Sequence, residues 1–128
     1  MSEFHNGFGF DDHVQAGADI SAHQYKVINI AGTIAATANA AYGILQNKPR
    51  SGEPAQLRVF GRSLGLAGAA VAANASLKVQ SGYLIAIASG DNVVPIGKNL
   101  SGAVNSGDEF TVAFNGVNGR SSIQTASL

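Results

Sequence analysis

Ala55-Gln56-Leu57-Arg58-Val59-Phe60-Gly61 alternates apolar and polar side chains with a period of two and closes on a glycine. Ala55, Leu57 and Val59 point one way, and Gln56, Arg58 and Phe60 the other. That is the pattern of a half-buried strand. Turn signals precede it: Asn47-Lys48-Pro49 and Ser51-Gly52-Glu53-Pro54, whose prolines belong in turns or at sheet edges. Downstream, Leu77–Gln80 and Tyr83–Ala88 flank Ser81-Gly82, a two-residue hairpin signal. Tyr83, Ile85 and Ile87 share one face of that hairpin. Phe110, Val112 and Phe114 form one face of a last strand, which ends at Asn115-Gly116.

Two further runs read as strands: Gln24–Ala31, rich in β-branched residues and ending at Gly32, and the short Tyr42–Gln46. Ile34–Ala41 and Ala67–Ala75 are alanine-rich and favour helix. Helices that short are marginal alone, so a turn or two is predicted in each. The sequence therefore predicts a mainly β fold. It is a compact small barrel or sandwich of short antiparallel strands, with one or two short helical turns and an extended N-terminal arm.

The arm is residues 1–18, and residues 19–128 form a single β-rich domain. Three of the six phenylalanines, Phe4, Phe8 and Phe10, fall within the first ten positions, among Asn6, Gly7, Gly9 and Asp11-Asp12. Exposed aromatics of this density are expected to dock on something. The segment either folds back onto its own domain as strand or coil, or docks on a neighbouring subunit. Phe4, Phe8 and Phe10 are the candidate interface residues.

The bulk composition narrows the function. The chain has 128 residues, enough for one domain with a real core. Charged residues make up 12%, against about 25% in an average soluble domain. Few charges, 16 glycines and abundant alanine suit a protein that gives much of its surface to partners. Net charge is zero and the basic residues are scattered, so no nucleic-acid partner is expected. The absence of cysteine excludes disulfides, thiolate catalysis and cysteine zinc sites. Residues 1–10 carry no basic n-region and no apolar h-region. The longest apolar run, Leu66–Ala73, is far below the ~20 residues of a membrane helix. A soluble, unanchored chain made in a cytoplasm, with no membrane partner, is expected.

No catalytic constellation emerges. His5, His13 and His23 have no i,i+4 partner among themselves, and HExxH is absent. Asp11, Asp12 and His13 form a polar cluster that reads as a solvated turn more readily than as a metal site. Asp19 and His23, four apart, read as a cap or turn. Gly61-Arg62-Ser63-Leu64-Gly65 fits the letters of a nucleophile elbow, but all three histidines precede Ser63, against the usual order. Gly97-Lys98 is followed by Asn99, and Asn92 stands where a phosphate loop needs glycine. Asp91, Asp108 and Glu109 fall at strand boundaries, where acidic residues support turns. Paired carboxylates for glycoside chemistry are compatible with the spacing, but no Trp offers a sugar platform. No enzyme, cofactor or metal is expected.

One ordered set of segments points further. Gly52-Glu53-Pro54-Ala55-Gln56-Leu57-Arg58-Val59-Phe60-Gly61-Arg62-Ser63 is followed by an alanine-rich stretch and Ala73-Asn74-Ala75-Ser76-Leu77-Lys78-Val79. Then come Ser81-Gly82-Tyr83-Leu84, Ile96-Gly97-Lys98-Asn99-Leu100, and Ala103-Val104-Asn105-Ser106-Gly107-Asp108-Glu109-Phe110-Thr111-Val112. This order, over roughly the last hundred residues, resembles the capsid-cement (head-decoration) proteins of tailed bacteriophages. Tyr25–Gly43 fits more loosely, and the Phe-rich arm departs from the family's pattern. The resemblance implies a virion protein on the outer capsid surface. Such a protein binds the major capsid protein across seams between subunits and stabilises the expanded head, commonly as a homotrimer, with dimers also known. The alternative is a virion fibre or tail surface module that binds host glycans.

Overall fold

A computed structural model describes residues 9–37, 40–91 and 93–116. Among the described residues eight strands make one antiparallel sheet. They are β1 (Gly9–Gln15), β2 (Val27–Ile28), β3 (Gly43–Leu45), β4 (Pro54–Leu66), β5 (Ser76–Gln80), β6 (Tyr83–Ala86), β7 (Gly97–Asn99) and β8 (Glu109–Asn115). The order is β2-β3-β4-β8-β7-β5-β6, with β1 also paired to β4. A parallel bridge between Ala67 and Leu84 brings the end of β4 to β6, so the sheet nearly closes into a barrel.

The long β4 organises the molecule. Its first half carries β3 and β1, and its second half carries β8, from Phe60 opposite Asn115 to Leu66 opposite Glu109. The alternation expected over 55–61 is present and runs further: Ala55, Leu57, Ser63 and Gly65 are buried, while Phe60 and Arg62 are exposed. Ala55 and Leu57 join Ala16, Ile20, Ile28 and Leu45 in one core cluster. The second cluster fills the barrel with Leu77, Leu84, Ile96, Phe110, Val112 and Phe114, among others. The expected face of β8 is thus the buried one. In the 76–86 hairpin the buried residue of β6 is Leu84, with Tyr83 and Ile85 on the opposite, half-buried face. Ser81 and Gly82 both have positive φ, 51° and 84°, as a type I′ turn requires.

Two expectations change in detail. The run 24–31 yields only Val27–Ile28, because Asn29 starts a turn: its side-chain oxygen accepts from the backbone N–H groups of Ala31 and Thr33. The alanine-rich stretches form single turns rather than helices, closed by Ala40 N–H to Thr37 O and Ala75 N–H to Ala72 O. Several of their other backbone groups bond to neighbouring segments. Ala35 bonds Val27, Gly68 bonds Leu84, and Val71 exchanges two bonds with Val104. Tertiary hydrogen bonding here outweighs a weak local helix preference. Residues 38 and 39 of the first stretch lie outside the described residues.

Candidate docking surface

Residues 9–15 of the expected arm are strand β1, and of its three phenylalanines only Phe10 falls within the described residues. Phe4 and Phe8 lie outside them, as does His5. β1 is almost wholly exposed along its length. Its attachment to β4 therefore depends on ladder hydrogen bonds and on polar ties rather than on burial. Asp11 accepts from the guanidinium of Arg58 and from Gln56 Nε2 (2.6 Å). Asp12 accepts from the Tyr42 hydroxyl at 2.6 Å. Arg58 lies on the outward side of β4, yet β1 covers it to 7% exposure. A Cβ at Gly9 would sit 2.3 Å from Phe60 O and 2.8 Å from Arg58 Cδ, so only glycine permits this approach.

The register then assembles an outward face. Phe10 stands opposite Phe60, their rings stacked at 6.1 Å between centroids, and Phe60 stands opposite Asn115 on β8. One step along, Arg62, Ala113, Lys98 and Ser76 form a row across β4, β8, β7 and β5. Leu100 follows β7, its N–H bonded to Thr111 O. Apart from Phe10, which reaches it only through its stack on Phe60, the side chains of this face line an open, mostly apolar groove of about 630 Å³. Phe10 is 70% exposed, Phe60 48% and Leu100 42%. Large apolar side chains clustered on an outer face mark an interaction surface. Arg62 and Lys98 stand in the groove without a salt bridge among the described residues, whose ion pairs are Arg58–Asp11 and Lys78–Asp91.

The other residues singled out by sequence have local structural work. Ser63 is buried in the middle of β4, not at a strand-to-helix turn. Its hydroxyl donates to Leu64 O and accepts from Gln46 Nε2. Asp19 caps a turn through the N–H and hydroxyl of Ser21. Asp91 holds the turn at Ala88 and pairs with Lys78, and Asp108 accepts from Asn105 N–H. Among the described residues no three histidine or acidic side chains converge as metal ligands.

The tie of β1 to β4 gives an expected acid response. Partial burial pushes the Asp11 carboxyl up, but hydrogen bonds from Arg58 and Gln56 and the charge of Arg58 outweigh it, leaving its pKa below the ordinary 3.8. The folded state then binds its proton less readily than the unfolded chain does. The stabilisation is complete above 3.8 and is lost as pH falls through the lower folded value. Asp12, Asp19 and Asp91 are displaced the same way by their own hydrogen bonds. Urea melts at stepped pH are expected to show one loss as pH falls below 6.5, where burial keeps His23 from taking the proton that the unfolded chain binds, then a plateau, and a further decline below about pH 4. Asp11→Asn should lower the plateau and shallow the decline; an unchanged profile would remove Asp11 from the account.

No protein-family model matches the chain, and no curated protein matches it. Its fold is similar to a solved crystal structure, the head fiber gp8.5 N base of bacteriophage phi29. The TM-score is 0.62 at 11% identity, over 90% of this chain and 98% of that one.

Proposed function

We propose that this chain is a structural virion protein that attaches to the outer surface of a phage head. In this reading it bridges seams between major-capsid subunits, steadies the expanded head and acts as a homo-oligomer, trimeric or dimeric. It carries no catalytic centre and binds no cofactor, nucleic acid or membrane. The observation that carries the reading is the likeness to a head-fibre base over nearly the whole of both chains. The outer face supports it independently. Phe60 stacks on Phe10 and lines the groove with Leu100 and Ala113, offering apolar anchors; among the described residues Ile30 alone is a comparably exposed large apolar side chain elsewhere. A standard interface buries ~1,600 Å² and draws most of its energy from a few such anchors. A clamp of that size across each seam adds contact that outward pressure from packaged DNA must break.

The test is co-sedimentation with expanded heads that lack the protein, with the solution mass measured by light scattering. Saturable binding at a fixed ratio to the major capsid protein is expected, and failure to bind any head would overturn the reading. The same likeness to a fibre base favours one second reading, a fibre or tail module that binds host glycans. Selective signals on a glycan array without head binding would bring it forward.

A further inference from the structure

The groove on the outer face carries two cations and no acid, and this narrows the chemistry of its partner beyond apolarity. Resting on the head-attachment reading, we infer that the capsid segment seated in this groove is an apolar one that carries a carboxylate, and that this carboxylate lies between Arg62 and Lys98 above Ala113.

Three observations converge. First, the register sets both cations about one small residue. Arg62 of β4 and Lys98 of β7 each stand opposite Ala113 of β8. Two strand spacings, roughly 10 Å, separate their backbones, so two long side chains can close on a single carboxylate over a methyl group. Second, both residues are exposed, and among the described residues no acidic side chain lines the groove. The acids that do form ion pairs are committed to other cations, Asp11 to Arg58 and Asp91 to Lys78. Third, Asn115, opposite Phe60 in the groove wall, keeps its side-chain oxygen buried with no hydrogen-bond partner among the described residues. A buried acceptor left unpaired is costly, and a backbone N–H of an incoming segment would satisfy it. The same charges disfavour other occupants. A two-fold contact between copies through the groove would bring four cations together on a floor without an acid. A nucleic-acid backbone is held through many phosphate contacts, and only two cations stand here on an apolar floor.

The test measures the Kd for expanded heads by sedimentation, with a change on each partner. The protein is the parent or Arg62→Gln with Lys98→Gln, two exposed positions whose change should leave the melting temperature within a few degrees. The heads are untreated, or have their accessible carboxylates converted to neutral amides with carbodiimide and glycinamide. On untreated heads the glutamine variant is expected to bind roughly 10- to 100-fold more weakly than the parent, the range for a hydrogen bond to a charged group. On amidated heads the parent should be weakened at least as much, and the variant should bind no worse than the parent, because the two changes remove the same contact. Lys48→Gln with Arg50→Gln, two exposed cations outside the groove, should bind untreated heads as the parent does. Unchanged binding by the Arg62 and Lys98 variant would overturn the inference. So would a loss that is as large on amidated heads as on untreated ones, or an equal loss in the Lys48 and Arg50 variant, which would reduce the effect to overall charge. All three outcomes leave head attachment standing, since the parent still binds. Failure of the parent to bind untreated heads overturns the head reading and this one with it.

Discussion

Asn99→Leu is expected to lower the folding stability by about 2–4 kcal/mol and the melting temperature by roughly 10 °C. Asn99 is fully buried and ends β7. Its Nδ2 donates to Ala72 O at 3.0 Å and Gly102 O at 3.2 Å, and its Oδ1 accepts from Ser101 N–H at 2.8 Å. One side chain thus joins the loop before β5 to the loop after β7. Leucine fills similar space but offers none of these bonds, and a buried polar group left unpaired costs more than the net value of the bond it loses. Against a typical total of 5–15 kcal/mol, such a loss is large. Asn99→Asp separates the two contributions. It keeps the acceptor for Ser101 but sets a carboxylate against two carbonyls. It should therefore be at least as damaging at neutral pH, and partly recover on acidification, where the protonated acid can donate once. Urea midpoints measure both. A leucine variant within 0.5 kcal/mol of the parent, about the spread of neutral surface changes, would show that the side chain is not holding the loops.

Nothing in the sequence marks Asn99 as more than one polar residue between Lys98 and Leu100, and the reason is general. Period-two patterning carries β4, the 76–86 hairpin and β8, because those strands present one face to a core and their turns need particular residues. β1 breaks that rule. Gly9–Gln15 holds two adjacent aspartates, its register shifts between Phe10 and Asp11, and it is held by Arg58, Gln56 and Tyr42, residues far along the chain. The alanine-rich stretches were equally opaque, since alanine fits helix or sheet and long-range bonds decided. The docking surface was half legible. Phe10 stood out as an aromatic in a polar segment. Phe60 carried a signal too, an aromatic on the polar side of an alternating strand. Joining Arg62 to Lys98 needs the β4-β8-β7 register, which no local pattern encodes.

Phe10→Ala with Phe60→Ala is expected to weaken binding to expanded heads by roughly 100- to 1,000-fold, which corresponds to about 3–4 kcal/mol. The two rings already stack on each other, so their truncation removes about 1 kcal/mol of pair energy from the free protein. Most of their surface is still open to water, however: 70% of Phe10 and 48% of Phe60. At 150–250 Å² per aromatic side chain and about 25 cal/mol per Å², covering the open part is worth about 4–7 kcal/mol. A partner that seats on this face gains most of that, and the free fold gains little. The double variant should therefore melt within a few degrees of the parent and still fail to co-sediment at concentrations that saturate the parent. Ile30→Ala is the control, because Ile30 is as exposed as Phe10 but neither lines the groove nor stacks on a residue that does. It should bind as the parent does. If the double variant binds heads with unchanged affinity, the aromatic pair is not the anchor, and attachment runs through another face of the barrel.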